Sequence, residues 1–422
     1  MNKLVIKGGK KLAGEVNISA AKNSVLPILA ATILNGNSCT IKNAPMLEDV
    51  FVICDVLKSL KADVNIDKIN NIIKINTANI FDNGANDELV RKMRASFLIM
   101  GPMLGRFGNF KISLPGGCNI GTRPIDLHLK GLSALGAEVI VGHGYVQAKA
   151  KKLVGSNIYL DYPSVGATEN IMMAATLAEG ETIIGNAAEE PEVVDLAKFL
   201  RAMGAQIEGE GTDTIKILGV NDFKEVIYQP IYDRIEAGTF MITAAITKSL
   251  IKINGIDEIH SKPTIAKLTE MGVAIEINEN SIIVDGRKKL NPIDIKTMPF
   301  PGFPTDMQAQ MMSLLCTVKG TSIITETIFE NRFMHAVELK RMGANIKIDG
   351  RSAVIEGIDT FTGSNVTATD LRAGAALILA GLTADGTTTI SDIYHIDRGY
   401  VSIEEKLKGI GADIQRVNFN NK

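Results

Sequence analysis

The chain repeats one pattern of apolar and polar positions six times. The pattern, Leu-x-x-apolar-Gly-Ala-x-apolar, begins at Leu57, Leu132, Leu200, Leu268, Leu339 and Leu407, so successive copies are 68 to 75 residues apart. In the first copy Lys61 replaces the glycine, and in the fourth Val273 replaces the alanine. The pattern predicts an amphipathic helix that ends at a left-handed glycine and is followed by a strand with alternating apolar residues.

A second helix with the same period is apolar around most of its circumference. Its six copies are the segments 20–36, 91–108, 164–180, 233–249, 305–320 and 369–386. A helix of this kind is buried on all sides, and most copies end in glycine before a β-branched strand. Each unit is therefore predicted to run helix, strand, helix, strand, strand, which indicates an α/β fold.

The six units can be arranged in two ways. A solenoid is one of them, but solenoid repeats are usually about 20 to 50 residues long and have polar outer faces. Two groups of three units are the other arrangement. With three apolar helices at the centre of each group, every one of these helices is buried on all sides. We expect a domain of residues 20–229 and a discontinuous domain of 1–19 with 230–422, separated near the proline of YQPIYD.

Composition narrows the classes of function. The 422 residues are 45% apolar and 22% charged, and Lys+Arg 45 against Asp+Glu 47 gives a net charge of −2. This balance argues against a nucleic-acid coat or a polybasic membrane binder. No apolar run approaches the roughly 20 residues that span a bilayer, and the start lacks a signal-peptide core. We expect a cytoplasmic location and no membrane insertion.

The cysteines and histidines indicate no metal site. Four cysteines without paired spacing are typical of free thiols in a reducing compartment. Five histidines without an HExxH motif, and the lack of a CxxC motif, argue against zinc.

The second unit differs from the others by a glycine-rich loop, LPGGCNIGTRP, at 114–124. Its glycines permit hinge motion and close approach to a ligand. Arg123 stands where a phosphate-binding P-loop has lysine and serine or threonine, so that motif is weak. Cys118 in this loop is either a nucleophile or acid, or an ordinary surface thiol. Packing explains the other three cysteines, which are Cys39, Cys54 and Cys316.

Charged residues at the starts of the buried helices are the second deviation. Lys22, Arg94 and Arg372 occupy such positions, and Arg398 follows in the last unit. A helix N-terminus favours anions, so an arginine there does not stabilise the helix. We interpret Arg94 and Arg372 as ligands of an external anion, with solvated arginines as the alternative.

These motifs together resemble the UDP-N-acetylglucosamine 1-carboxyvinyltransferases, a family of enolpyruvyl transferases. The matching segments, in order over nearly the whole chain, are ISAAKNSVLPILAA, MRASFLIMGP, LPGGCNIGTRPIDLHLKGL, DYPSVGATENIMMAATLAEG, DRIEAGTF, FPTDMQAQ, TETIFENRFMHA, ATDLRAGAALILAG and YHIDRGY. The resemblance implies two inside-out α/β domains of three repeats each. It also implies transfer of enolpyruvate from phosphoenolpyruvate to the 3′-hydroxyl of UDP-N-acetylglucosamine, through a tetrahedral intermediate and with release of phosphate. This reaction is the first committed step of peptidoglycan synthesis and needs no cofactor.

The resemblance assigns roles to individual residues. Cys118 matches a loop cysteine that protonates phosphoenolpyruvate, can form a covalent adduct with it and is alkylated by fosfomycin. Asp306 matches a carboxylate that contacts the attacking hydroxyl, and Lys22 and Arg398 count as catalytic with these two. The implied phosphoenolpyruvate ligands are Lys22, Asn23, Arg123, Arg372 and Arg398. The implied UDP-sugar contacts are Arg94, Arg123, Pro124, Ile125, Asp126, Leu127, Tyr162, Pro163, Ser164, Val165, Asp306 and Ile328. Glu48 stands where some relatives have lysine, which leaves the role of position 48 open.

Three other hypotheses stay open at this point. The sister family that acts on shikimate 3-phosphate shares the six-unit fold, although its GNAGTAxRP-like signature is missing here. A non-catalytic sensor of UDP-sugar is a second alternative, which the intact Lys22, Cys118, Asp306 and Arg398 argue against. A nucleic-acid-binding ring of repeats is the third, and the −2 charge with 5% aromatic residues argues against it.

Overall fold

Two compact units account for the computed structural model, which describes residues 2–81, 88–89, 93–114 and 125–418. One unit consists of residues 2–19 and 232–418, and the other lies within residues 20–231. Within each unit the elements follow the order helix, strand, helix, strand, strand for each repeat. Only the last repeat departs from this order in the described residues, because one of its strands comes from the start of the chain.

The described residues contain thirteen α-helices. Those of the 20–231 unit are α1 Lys22–Asn35, α2 Glu48–Ser59, α3 Met100–Phe107, α4 Asp126–Ala134, α5 Val165–Ala175 and α6 Pro191–Met203. Those of the other unit are α7 Arg234–Ile246, α8 Glu258–Glu270, α9 Gln308–Leu315, α10 His335–Arg341, α11 Leu371–Thr383, α12 Tyr394–Asp397 and α13 Ile403–Gly409. Two 3₁₀ helices, Arg94–Ile99 and Thr305–Met307, lead directly into α3 and α9. No helix among the described residues is long and apolar enough to cross a membrane.

The strands are short, as expected for repeats of this length. Those of the 20–231 unit are β3 Ser38–Ile41, β4 Asp63–Asp67, β5 Ile72–Asn76, β6 Asn109–Ser113, β7 Glu138–Gly142, β8 Tyr145–Lys149, β9 Asn157–Tyr159, β10 Glu181–Gly185, β11 Gln206–Glu208, β12 Thr214–Leu218 and β13 Val226–Tyr228. Those of the other unit are β1 Asn2–Lys7, β2 Ala13–Asn17, β14 Leu250–Asn254, β15 Ala274–Asn278, β16 Ser281–Asp285, β17 Ile295–Lys296, β18 Thr321–Thr325, β19 Asn345–Asp349, β20 Ser352–Glu356, β21 Asn365–Thr367, β22 Thr387–Ser391 and β23 Asp413–Asn418.

Each repeat forms one small sheet around an antiparallel trio. In the first repeat β5 lies between β3 and β4 and is antiparallel to both. The strand order is β13-β3-β5-β4 there, β6-β8-β7 in the second and β11-β12-β10-β9 in the third. The other unit has the orders β15-β16-β14-β2, β17-β18-β20-β19 and β21-β22-β1-β23. In five of these six described sheets a fourth strand pairs in parallel at one edge.

Strands from the start of the chain complete two sheets of the 232–418 part. β1 lies between β22 and β23, so that Leu4 is opposite both Ile390 and Arg416. β2 pairs in parallel with β14, with Val16 opposite Ile253. The sixth repeat therefore takes its third strand from the first residues of the chain.

The apolar helices form the centre of each unit. In the 20–231 unit these are α1, the 94–107 segment and α5, and in the other unit they are α7, α9 and α11. All six are buried over most of their length, and the three of a unit contact one another. Helices inside and sheets outside give an inside-out α/β domain of three repeats, so the predicted fold class is confirmed.

The left-handed residue that the repeat predicts after its second helix is present in all six copies. Five are glycines with positive φ, namely Gly136, Gly204, Gly272, Gly343 and Gly411. Lys61 adopts the same conformation, with φ 75°. A residue with a Cβ is strained in this conformation. Lys61 nevertheless adopts it, so the first copy keeps the backbone geometry of the repeat without the glycine.

Two buried helices begin differently from the prediction. The 305–320 segment starts as the 3₁₀ helix Thr305–Met307 before α9, and the 91–108 segment differs in the same way. The pattern indicates a continuous helix over 91–108, whereas the described part begins as the 3₁₀ helix Arg94–Ile99 and becomes α-helical only from Met100. At this junction the side chain of Asn170 bonds to the helix backbone. A side chain inserted among the backbone bonds is a known cause of such breaks.

Candidate active site

Two arginines bind the carboxylate of Asp306, one at each oxygen. Asp306 lies in the 3₁₀ helix Thr305–Met307, just before α9. Arg332 Nη2 is 2.7 Å from Oδ1 and Arg372 Nη2 is 2.9 Å from Oδ2. The guanidiniums are almost fully buried, with 5% and 2% of their side chains exposed, while Asp306 is 26% exposed. Charge-assisted bonds from both sides fix the orientation of this carboxylate.

A chain of hydrogen bonds connects the Arg332 guanidinium with the backbone of Ile328. Arg332 Nη1 donates to Thr305 Oγ1 over 3.1 Å, and Thr305 Oγ1 donates to Glu326 Oε2 over 2.8 Å. The other oxygen of Glu326 accepts from the backbone N–H of Ile328 at 2.8 Å and from Thr297 Oγ1 at 2.9 Å. Buried Glu326 therefore links the arginine to the loop of a predicted UDP-sugar contact.

Arg372 lies in a buried polar cluster between the central helices of its unit. Its guanidinium carbon is 5.5 Å from the centre of the Tyr400 ring, a cation–π distance. Tyr400 OH is 3.0 Å from Thr239 Oγ1 and accepts from Gln310 Nε2 at 3.2 Å. Burial alone would lower the pKa of Arg372, but the charge of Asp306 and the interactions with Tyr400 raise it instead. The guanidinium therefore stays charged although it is buried.

Arg398 follows α12 in the same unit as Asp306. The residue before it, Asp397, accepts two bonds from the Arg416 guanidinium, at 2.9 and 2.6 Å. Arg416 Nε also donates to Glu404 over 2.6 Å. Strand β23 thus fixes the turn that carries Arg398, and two residues further on Tyr400 contacts Arg372.

Lys22 and Asn23 begin α1 in the 20–231 unit. Lys22 Nζ is 3.3 Å from Asp49 Oδ2, and both side chains are buried. Asp49 lies in the first turn of α2, beside Glu48. An ion pair places the Lys22 ammonium at the helix start, where the free N–H groups also favour an anion.

Asp195 in α6 holds the start of α1 in place. It accepts from Ser24 Oγ, from Tyr228 OH at 2.6 Å and from the Ile231 backbone N–H at 3.1 Å. Burial raises the pKa of Asp195, while these three hydrogen bonds act to lower it. Ser24 is two residues from Lys22, so the bond with Asp195 positions the segment that carries Lys22.

The predicted UDP-sugar residues of this unit lie at helix starts. Ser164 is the N-cap of α5 and its Oγ accepts from the Ala167 backbone N–H at 3.4 Å. Tyr162 is exposed two residues earlier, with Pro163 between them. Ile125 caps α4, whose first residues are Asp126 and Leu127. The backbone of Arg94 begins the 3₁₀ helix Arg94–Ile99.

The structure brings some of the predicted residues together. Asp306 and Arg372 are in direct contact, so the anion that Arg372 binds here is the internal carboxylate of Asp306. Arg398 and Ile328 belong to the same unit, whereas Lys22, Asn23, Arg94, Ile125 to Leu127 and Tyr162 to Val165 belong to the other. Cys118, Arg123 and Pro124, with all of the loop 114–124 except Leu114, lie outside the described residues.

Sequence comparisons agree with this architecture. The family model described as EPSP synthase (3-phosphoshikimate 1-carboxyvinyltransferase) matches residues 6–407. UDP-N-acetylglucosamine 1-carboxyvinyltransferase 2 of Clostridium tetani (strain Massachusetts / E88) is 69% identical over 417 residues, which are 99% of this chain and 100% of the relative. The chain belongs to the UDP-N-acetylglucosamine 1-carboxyvinyltransferase family. UDP-N-acetylglucosamine 1-carboxyvinyltransferase 1 of Clostridium acetobutylicum, 68% identical with the same coverage, supports the same assignment.

Solved structures place this carboxyvinyltransferase in the enolpyruvyl transferase fold. The enolpyruvyl transferase NikO from Streptomyces tendae has a TM-score of 0.90 and 25% identity, and the match covers 98% of both chains. An EPSP synthase from Acinetobacter baumannii has a TM-score of 0.77 at 18% identity and covers 99% of this chain and 100% of its own. The latter likeness concerns the fold alone.

Several supporting residues of this family member are not evident from the sequence. Arg332 stands out in the motif FENRFMH, but the pattern does not connect it with Asp306. The sequence pattern does not identify Asp49, Asp195 or Glu326 as supporting residues, because their hydrogen-bond partners are distant along the chain. A polar residue within an otherwise apolar stretch is a usable signal, and it would have identified Asn170.

Proposed function

We propose that this chain transfers enolpyruvate from phosphoenolpyruvate to the 3′-hydroxyl of UDP-N-acetylglucosamine and releases phosphate, as the first committed step of peptidoglycan synthesis. The carboxylate of Asp306, bound by two buried arginines at the head of a central helix, carries this proposal within the family assignment. A fixed carboxylate among cations suits an alcohol that must lose its proton next to an anionic substrate.

The proposed chemistry divides among the predicted residues. Cys118 donates a proton to the methylene carbon of phosphoenolpyruvate, which makes the neighbouring carbon electrophilic. The sugar hydroxyl adds to that carbon while Asp306 contacts it and takes its proton. The tetrahedral adduct then loses phosphate as the leaving group and a proton from the methyl group formed in the first step, and the Cys118 thiolate takes this proton as the double bond is restored.

The anionic groups of both substrates require cations. Phosphoenolpyruvate has about three negative charges, and converging lysine and arginine side chains are the groups that bind them. We assign this role to Lys22, Arg123, Arg372 and Arg398, with Asn23 beside Lys22. The UDP-sugar lies on residues 94, 123–127, 162–165, 306 and 328. Both substrates are small molecules, and we propose a cytoplasmic location, which the four cysteines without paired spacing support.

The alternative acceptor is shikimate 3-phosphate, which the matching family model names. Curated relatives of 54 to 69% identity, all named UDP-N-acetylglucosamine 1-carboxyvinyltransferases, favour the UDP-sugar. The two acceptors are separated by one assay, in which phosphate release from phosphoenolpyruvate is measured with either acceptor and with none. Release with UDP-N-acetylglucosamine alone is expected, and release only with shikimate 3-phosphate would overturn the proposal.

Two substitutions test the role of Cys118. Cys118→Ala should abolish or severely slow phosphate release, and unchanged turnover would refute the acid or nucleophile role. Cys118→Asp should keep a proton donor but lose the thiol. Mass spectrometry after fosfomycin treatment should then show an adduct on the wild type and none on this variant.

Asp306→Asn tests the proposed base. It should lower kcat more than it raises KM for either substrate, because the amide cannot take a proton, although its NH2 group also cannot accept the hydrogen bond of one arginine. Asp349→Asn, an exposed change at the end of β19, is the control and should leave both parameters unchanged. A loss of affinity with unchanged kcat would contradict the base role.

A further inference from the structure

Asn170 occupies a gap in the backbone hydrogen bonds of the 94–107 segment. In a continuous α-helix the N–H of Gly101 would bond to the carbonyl of Phe97, four residues earlier. Here Gly101 N donates instead to Asn170 Oδ1 over 2.5 Å, and Asn170 Nδ2 donates to Phe97 O over 3.2 Å. Phe97 O also accepts from the backbone N–H of Met100, as in a 3₁₀ helix, so the side-chain amide of Asn170 replaces only the α-helical bond between Gly101 and Phe97.

The same amide also binds the helix α4. Its Nδ2 is 3.0 Å from His128 Nδ1, so the remaining N–H of Asn170 donates to the imidazole. The His128 ring meets the Phe97 ring edge to face, with centroids 5.3 Å apart. Asn170 is fully buried, and its three hydrogen bonds fix one position of the amide relative to both elements.

Glycines allow these elements to approach α5 closely. A Cβ at Gly101 would collide with the carbonyl and side-chain oxygens of Asn170, and a Cβ at Gly131 would collide with Ile171. At Gly101 and Gly131 the 94–107 segment and α4 therefore contact α5 with their backbone rather than with a side chain. Where the glycines allow this close approach, the side chain of Asn170 in α5 bonds to both the 94–107 segment and α4.

All three elements begin with residues that we assign to the UDP-sugar. Arg94 opens the 3₁₀ helix, Asp126 and Leu127 precede His128 in α4, and Ser164 and Val165 open α5. We propose that Asn170 is a positioning residue for the UDP-sugar contacts of this unit. Its hydrogen bonds fix the positions of the first residues of these three elements relative to one another. This inference rests on the proposed function, because the UDP-sugar is the ligand in question.

Asn170→Leu is the main test, because leucine has the same branching and number of side-chain heavy atoms as asparagine and removes all three hydrogen bonds. Asn170→Ala is the second variant. The matched control is Thr168→Val, since Thr168 is also buried in α5 but accepts a hydrogen bond from the backbone of Ala188, which lies outside the three elements. Thermal unfolding of all variants shows how far each is destabilised.

The expected kinetic result is a split between the two substrates. The Asn170 variants should raise KM for UDP-N-acetylglucosamine by on the order of tenfold or more, with KM for phosphoenolpyruvate and kcat within about threefold of the wild type. Thr168→Val should lower the melting temperature and leave both KM values unchanged. An equal rise of both KM values, or unchanged kinetics in a folded Asn170 variant, would overturn the proposal.

Hydrogen–deuterium exchange separates this proposal from the proposed function. In the Asn170 variants, amide protection should fall in 94–107 and 126–134 and stay unchanged in the strands β3 and β5 of the same unit. If the wild type releases no phosphate with UDP-N-acetylglucosamine, the proposed function fails. Unchanged protection in 94–107 or 126–134 refutes the positioning role in either case. Protection is also measurable on variants that are too unstable for kinetics.

Discussion

Arg332 and Asp306 form a bond of 2.7 Å between Nη2 and Oδ1 although 26 positions separate them along the chain. The same guanidinium reaches Thr305 Oγ1 with Nη1, so its planar fork contacts two neighbouring residues of one 3₁₀ turn. A guanidinium can bind both sites at once because its donors have a fixed geometry, whereas an ammonium acts as a point charge.

Arg332→Lys should therefore lower kcat/KM by on the order of ten- to a hundredfold, although the charge is kept. Steady-state phosphate release measures this effect. The control is Arg351→Lys, because Arg351 is half exposed and donates to the backbone of Thr327. Equal kinetics for Arg332→Lys and the wild type would show that the two-site hydrogen bonding of the guanidinium is not needed for the function of Asp306.

Lys61→Gly should stabilise the protein. Lys61 adopts φ 75° in the place where the other copies of the repeat have glycine, and this conformation costs a residue with a Cβ about 1 kcal/mol or more. We expect the free energy of unfolding in urea to rise by roughly 1 kcal/mol. Lys58→Gly, three residues earlier and inside α2, should lower it by a similar amount. A lower stability for both variants would contradict the strain at Lys61.

Thiol labelling should distinguish Cys118 from the other cysteines. Burial raises the pKa of Cys39 to about 11 and those of Cys54 and Cys316 to about 12, so their reactive thiolate forms are scarce at neutral pH. At pH 7.5 the folded protein should react rapidly with a maleimide at one thiol, and the unfolded protein at four. Cys118→Ala should remove the fast reaction, and more than one fast thiol in the folded wild type would contradict this prediction.

Glu169→Gln should change how stability depends on pH. Burial, with the neighbouring charges of Glu192 and Glu190, raises the pKa of Glu169 well above its ordinary value of 4.5. The folded state therefore holds a proton that the unfolded state releases, so this group lowers stability progressively as the pH rises above 4.5. Glutamine carries no such proton.

Urea unfolding of Glu169→Gln and the wild type from pH 5 to 8.5 tests this dependence. The variant should gain stability relative to the wild type as the pH rises, and the difference should shrink towards pH 5. Glu181→Gln, an exposed change at the start of β10, is the control and should show a constant difference. A pH-independent difference for Glu169→Gln would mean that Glu169 is not protonated in the folded protein.

The sequence predicts well those features that depend on local conformation. The repeat, its left-handed residue and the six buried helices follow from periodicity, and even Lys61 keeps the predicted backbone geometry. The parallel edge strands β9, β13 and β21 are only three residues long, which is too short for an alternation to be recognised. At the 3₁₀ start of the 94–107 segment the backbone bonds to Asn170, which is remote in sequence.

The candidate site follows the same division. Charged residues at the starts of apolar helices are visible in the sequence because they conflict with the apolar pattern, and this conflict identifies Arg372 as a candidate. Its contact with Asp306 spans 66 positions and depends on the packing of α9 against α11. The resemblance to a family supplies the roles of such residues, while the structure supplies their partners.

The place of β1 between β22 and β23 has a consequence for the order in which the protein folds. Leu4 leaves the ribosome early, but its partners Ile390 and Arg416 are made about four hundred residues later. At typical synthesis rates this delay is roughly 20 to 80 s. The 20–231 unit can be complete during that time, whereas the first strand of the chain must wait for the last. Until that point the buried positions Leu4 and Ile6 of β1 have no partner strand on the growing chain.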